Sequence, residues 1–337
     1  MALCARKKDR PLKLLRLLVG RRGEKGYEAP GAKAAIAAVR HIVTAANSGL
    51  ALDTAHDPAI SVRLLSDRVE LLRGTSEVVM GTIAMSGDTF DGAALQLALQ
   101  RAARAERLRR ILSQGAITPG SAGAGSLRIS GYLWRAPSAG GPSSDCPPGP
   151  DFADTKNPPK GVAPITAGAI GSVELAPCDT LYLVANNDSG QDIDLTSLVV
   201  TPQARIHVLD DTSDPPGRIR AHQQGVFLEG WQIDDNGTAP GSNDIMVGFI
   251  SIPVDPALGV EQRLTELAQS SIGTNDEGSG NTRGASTTPA ALRGLRDLVL
   301  NGESARLRSA ATTPQGDAHI ESLAFTVRPR SSTANEH

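Results

Sequence analysis

Three cysteines, six histidines and several aspartate clusters are the residues of this chain whose types could do chemistry. A cysteine nucleophile needs a neighbouring base and an electropositive pocket that holds its thiolate. Cys146 follows Asp145 and precedes two prolines, and Cys178 precedes Asp179. A carboxylate beside a thiol disfavours the thiolate, so neither cysteine has the setting of a nucleophile. His41 lies in an alanine-rich segment beside Val39 and Val43. His56 precedes Asp57 in a turn, His207 alternates with Ile206 and Val208, and His222 lies in a loop. Each pattern has a simple structural role, and none sets an imidazole beside a cysteine or serine in sequence. A His and a Cys can still meet in space.

Other reactive patterns are missing. No phosphate-binding loop ending in Lys-Ser/Thr occurs, nor a His-Glu-x-x-His, a Cys-x-x-Cys or a Gly-x-Ser-x-Gly. Asp234, Asp235, Asn236 and Gly237 echo a calcium loop. Aligning Gly237 with that loop's glycine puts Gln232 and Asn243 where the anchoring acids belong, and both anchors fail. The cluster reads instead as a turn. No catalytic residue, metal ligand or cofactor is expected.

The elements that would position these residues follow from composition and pattern. The 337 residues suffice for two domains. Aromatic residues make up only 3 %, so Leu, Val, Ile and Ala must build the core. The 35 glycines and 22 prolines imply many loops. A net charge of −2 predicts no general attraction to nucleic acid or to an anionic membrane, and no apolar run approaches a membrane span. The first 29 residues are basic and read as a disordered tail. Residues 30–118 read as a small α+β domain: a helix over 30–46, a hairpin over 60–72, a strand near 76–84 and a helix over 90–112 that Asp91 can cap. Five arginines crowd the second half of that last helix, where the helix dipole favours them. Residues 119–330 read as short alternating strands separated by Asn, Asp, Gly and Pro clusters. A mobile loop is expected over 136–164, helices over 254–271 and 290–300, a flexible segment over 275–288 and a closing strand from His319. The expected class is α+β: a helix and hairpin region, then an antiparallel immunoglobulin-like β-sandwich with C-terminal helices. Cys146 and Cys178 can pair as a disulfide, which would suit an exported protein. With no recognisable signal peptide, the expectation is a cytoplasmic chain with two reduced thiols.

Four stretches carry a family resemblance. They are Cys-Asp-Thr-Leu-Tyr-Leu at 178–183, the turn at 186–190, Asp-Leu-Thr-Ser-Leu-Val-Val at 194–200, and Asp-Ile-Met-Val-Gly-Phe-Ile-Ser-Ile at 244–252. Thr-Arg-Gly at 282–284, before a helix and a closing strand, is a further echo. Together they resemble the C-terminal, non-catalytic region of bacterial caspase-like proteins, over roughly residues 60–328. The family's peptidases carry a loop His and a Cys within Asp-x-Cys-His-Ser-Gly, and neither pattern is present here. The resemblance therefore implies an accessory module that binds a protein partner, for which a caspase-like peptidase is a candidate. Sandwiches bind through end loops, so Asp188, Asp192, Asp234 and Asp235 are the candidate binding residues. Two alternatives stay open: a divergent caspase-like cysteine peptidase, and an exported sandwich protein held by a disulfide.

Overall fold

A computed structural model describes residues 13–18, 32–44, 51–52, 59–65, 67–74, 78–86, 89–113, 127–137, 146–165, 173–228, 230–233, 243–254, 299 and 319–327. The chain divides into two compact units: the first takes residues up to Leu108 together with 270–274 and 290–312, and the second takes the rest. The architecture is mostly antiparallel β-sheet with two described helices, an α+β protein.

The first unit is a six-stranded sheet of order β2-β1-β3-β4-β5-β6. Its elements are β1 (Lys13–Leu18), α1 (Ala32–Thr44), β2 (Ala51–Leu52), β3 (Ile60–Leu64), β4 (Arg68–Arg73), β5 (Val79–Ser86) and β6 (Thr89–Phe90). β1 pairs in parallel with both β2 and β3, while β3 through β6 are antiparallel neighbours. Two parallel strands need a crossover connection, and α1 lies between β1 and the strands it pairs with. Ala35, Val39, Ile42 and Val43 are buried, which is helical spacing for one apolar face. In the β3–β4 hairpin Val62 faces Leu71 and Leu64 faces Val69, all four buried. Arg63 faces Glu70 across the same pair, and the buried carboxylate also receives Arg68.

β1 corrects the expected basic tail over residues 13–18; the rest of residues 1–29 lies outside the described residues. Lys13 and Arg16 break the apolar run, yet β1 is an inner strand with a neighbour on each side. Its partners lie more than thirty residues away, beyond any local pattern.

α2 (Gly92–Ser113) starts where expected, with the Ala94 amide donating to Asp91 Oδ1 at 2.9 Å. Leu95, Leu99, Ala102 and Leu108 are buried. The unit boundary falls inside this helix, ahead of the expected division between residues 118 and 119. Its last turn belongs to the second unit: Arg109 donates to the backbone carbonyls of Val200 (3.3 Å) and Thr201, and Leu112 lies directly over Gly248. Arg107 donates to the Val299 carbonyl, and burial, with the charge of Arg104, lowers its pKa to about 10. Arg107 and Arg109 are thus buried structural donors, where the helix dipole alone would have left them on the surface.

The second unit has two sheets. One has order β14-β10-β7-β8, with β15 also on β10. These are β7 (Leu127–Trp134), β8 (Val162–Ile165), β10 (Thr180–Asn187), β14 (Val226–Phe227) and β15 (Trp231–Gln232). The other has order β12-β11-β16-β17-β9, with β13 also on β11. These are β9 (Glu174–Leu175), β11 (Ile193–Val200), β12 (Ile206–Val208), β13 (Arg218–Ile219), β16 (Asn243–Pro253) and β17 (His319–Val327). Among the described strands of this unit only β17 and β9 pair in parallel. Inward residues of both sheets meet in one apolar cluster that includes Leu127, Ile129, Leu181, Leu183, Leu195, Val199, Val247 and Phe249. Phe249 is its one fully buried aromatic, as an aromatic-poor sequence requires.

The segment expected as a mobile loop over 136–164 is different where it is described. Residues 146–161 run as an irregular strap into β8, and Phe152 packs edge-on to Tyr132, Tyr182 and Phe227 with centroids 4.8–5.3 Å apart. Proline density kept this segment out of regular structure without keeping it off the protein. The expected helices over 254–271 and 290–300 lie outside the described residues, apart from Val254, which is not helical, and helical Val299; the segment 275–288 lies outside them too.

Candidate functional site

β10 is buried along its whole length, and a fully buried polar side chain stands at each end, Asp179 just before it and Asn187 at its close. At its C-terminal end the chain turns into β11 through residues 188–192. Asn187 closes β10 with its side chain fully buried. Its Nδ2 donates to the carbonyls of Gln191 (2.7 Å), Arg220 (2.9 Å) and Ile219 (3.3 Å). Its Oδ1 accepts from the Ser189 amide (2.9 Å) and hydroxyl (2.6 Å). One side chain therefore ties the β10–β11 turn to the β13–β14 connection. That connection takes two left-handed residues, His222 (φ 58°) and Gly225 (φ 76°). The His222 amide donates to the Ser189 carbonyl at 2.9 Å, and the Gly225 amide donates to Asn186 Oδ1 at 2.9 Å.

Outside this frame lies an exposed polar group. Asp188 pairs with Arg128 (3.3 Å) of β7 and accepts from Gln224 Nε2 (2.9 Å), and Arg128 donates to Gln224 Oε1 (3.3 Å). The Arg128 and Asp188 side chains are 63 % and 46 % exposed, so the pair is solvated and its charges are open to a second binder. Asp192 serves the backbone instead. Its carboxylate accepts from the Ala221 amide at 2.8 Å, and its carbonyl from the Val254 amide at 2.8 Å. It stitches the two connections together.

The N-terminal end of β10 is built around Asp179, which is fully buried. Asp179 accepts from Arg135 Nη1 (2.7 Å), the Ala176 amide (2.9 Å) and the Ala136 amide (3.3 Å). Beside it, Cys178 adopts a left-handed backbone (φ 69°) and forms a disulfide with Cys146. The expected reduced thiols are therefore corrected: the strap brings two cysteines 32 residues apart within bonding reach. The bridge starts the strap over the outer face of β7 and β10. Tyr182 donates to the Pro150 carbonyl (2.6 Å) and Gln232 to the Pro147 carbonyl (2.7 Å). A Cβ on Gly149 would stand 2.5 Å from the Tyr182 hydroxyl, so only glycine fits this crossing. Burial, then the charge of Asp151, pushes the Tyr182 phenol above its ordinary value.

Of the sequence-derived binding residues, the structure brings Asp188 and Asp192 together at one turn, with Asp188 facing solvent and Asp192 bonded to the backbone. Asp234 and Asp235 lie outside the described residues, as does His56. His41, His207 and His222 are exposed. Among the described residues no group of three or more His, Cys, Asp or Glu could hold a metal ion, and no helix is long and apolar enough to cross a membrane. Sequence reasoning missed Asn187, Arg128 and Gln224. An Asn at the end of an apolar strand, before Asp-Ser-Gly, was the available signal for the first. The other two come from segments 96 residues apart. No family model, curated protein or solved structure matches this chain.

Proposed function

We propose that this chain is a non-catalytic accessory module whose second unit is an immunoglobulin-like β-sandwich that binds a protein partner through the β10–β11 turn. The caspase-like resemblance of residues 178–252 makes a caspase-like peptidase the first partner to test. The observation that carries the reading is the buried Asn187 side chain, which holds the turn in one conformation beneath the exposed Arg128, Asp188 and Gln224. A turn fixed before binding has little ordering cost left at the moment of association. The bridge also bears on the peptidase alternative, because it leaves neither Cys146 nor Cys178 as a thiolate. A second reading, an exported sandwich protein, is favoured by the same bond, since disulfides persist in oxidising compartments.

The test is calorimetric titration of the full chain against caspase-like peptidases, beginning with any encoded beside it. Binding that falls at least about tenfold in Asp188→Lys, at an unchanged melting temperature, supports the proposal, because reversing a rim charge sets like charges against each other. Binding that is indifferent to Asp188→Lys and Arg128→Glu removes the turn from the interface.

A further inference from the structure

We propose that the Cys146–Cys178 disulfide is a redox-operated latch, and that the strap over residues 146–161 is a cover released from the aromatic face of the β7–β10 sheet when the bond is reduced. Four observations carry this. The strap hangs between two anchors, the disulfide at its start and the pairing of β8 with β7 at its end. Three of its first five residues are proline, which has no amide hydrogen to give to a strand ladder. The described backbone hydrogen bonds of its middle run from Asn157 to Asp154, within the segment, and from Val162, the first residue of β8, back to Pro159. Finally, both cysteines are partly exposed, so a reductant can reach the bond that the strap depends on.

What lies beneath is unusual for this chain. Aromatic residues are 3 % of the sequence, yet Tyr132, Tyr182 and Phe227 converge on Phe152 at one place. Tyr182 and Phe227 are buried. With the latch closed, Phe152 fills the space between the three rings. With it open, the Tyr182 and Gln232 side-chain bonds and the Phe152 packing remain to hold the strap against the chain entropy of a proline-rich segment tied at one end.

The chemistry is thiol–disulfide exchange with a dithiol. One thiolate of the reductant attacks a bridge sulfur and the Cys146–Cys178 bond breaks, leaving a mixed disulfide and one cysteine thiolate. The second thiol of the reductant then closes a cyclic disulfide and releases the other cysteine. The protein gains two electrons and two protons, and the dithiol is oxidised.

The experiment treats the folded, oxidised full chain with dithiothreitol. It follows thiol count, hydrogen exchange by peptide, and the phenol titration by ultraviolet absorbance. Thiols should rise from one, Cys4, to all three. Amide exchange across 153–161 should accelerate at least about tenfold, because the bridge's constraint on the open strap is gone. Exchange in the β10–β11 turn should stay unchanged. One tyrosine should titrate closer to its ordinary value, because Tyr182 loses both its cover and Asp151. The double variant C146S/C178S should match the reduced protein. Three thiols with unchanged strap exchange would show a cover that needs no latch. Loss of protection throughout both sheets would show a structural staple. Either result overturns the proposal, and because reduction begins from folded protein, failure of the double variant to fold does not leave it undecided.

Discussion

Replacing Asn187 tests whether one amide holds the β10–β11 turn. The side chain is fully buried and makes contacts from 2.6 to 3.3 Å with three carbonyls and with Ser189. Asn187→Ala takes from the enclosed Ile219 carbonyl the longest of three contacts shared by two amide hydrogens, at about 0.5–1 kcal/mol, since Ile219 keeps its pairing with Ile193. The Gln191 and Arg220 carbonyls and the Ser189 amide are nearer water, and each loses about 0.5 kcal/mol of net hydrogen bonding. The expected loss is about 2 kcal/mol. Both tryptophans, Trp134 and Trp231, lie in the second unit, so urea unfolding followed by tryptophan fluorescence reads that unit directly. Asp188→Ala is the control: its exposed pair with Arg128 is worth about 0.5 kcal/mol or less. Asn187→Asp separates shape from donation. At neutral pH it turns a carboxylate toward three carbonyl oxygens, so it should cost more than alanine. Its folded pKa is then raised above the unfolded value, so the ionisation part of the loss fades as pH falls through the folded pKa and is gone below the unfolded one, while the loss of an amide donor remains. A loss under about 1 kcal/mol for Asn187→Ala, or equal losses at 187 and 188, would refute the reasoning.

Two further predictions concern the scaffold. A Cβ on Gly248 would stand 2.4 and 2.5 Å from the two Leu112 methyl carbons, and β16 is held between β11 and β17, so Gly248→Ala should cost about 1–3 kcal/mol in the same unfolding assay; adding Leu112→Ala should make the pair less costly than the sum of the single changes. In the first unit, burial alone would raise the Glu70 pKa, but hydrogen bonds from Arg68 and Arg63 outweigh it and hold the carboxyl below its usual 4.5. Its stabilisation is therefore present above pH 4.5 and lost as pH falls through the folded value, so exchange of β4 amides should accelerate on that acid limb in the native protein and much less in Glu70→Gln.

How much of this is legible in the sequence depends on the distance over which each feature is decided. The start of α2 can be read because Asp91 caps it within three residues. The strands β10, β11 and β16 can be read because apolar runs broken by Asn, Asp and Gly are local signals. β1 cannot, since Lys13 and Arg16 look like a solvated tail until β2 and β3 supply partners. Prolines and glycines make the strap look mobile, and they describe its lack of ladder bonds correctly. They say nothing of Phe152, whose three aromatic neighbours come from β7, β10 and β14. Asp188 and Asp192 are both legible as turn residues. Their different roles are not, because whether a carboxylate meets the Ala221 amide or an arginine on β7 is settled by segments far away in the chain.

The two ends of β10 are secured by opposite means, and this separates the two proposals. At one end a neutral amide satisfies backbone groups in a turn, an arrangement indifferent to redox potential. At the other end a covalent bond ties down a strap rich in proline, next to the buried Asp179 and its partner Arg135. Between them run eight buried residues of strand paired to β7 along the whole length, a rigid spacer. Reduction should therefore release the strap and leave the Asn187 turn, and any partner bound there, unchanged. Asn187→Ala should loosen the turn and leave the bridge intact. If a partner's affinity followed the redox state of Cys146 and Cys178 while ignoring Asp188, its contact surface would be the uncovered aromatic face, and the turn would be scaffold alone.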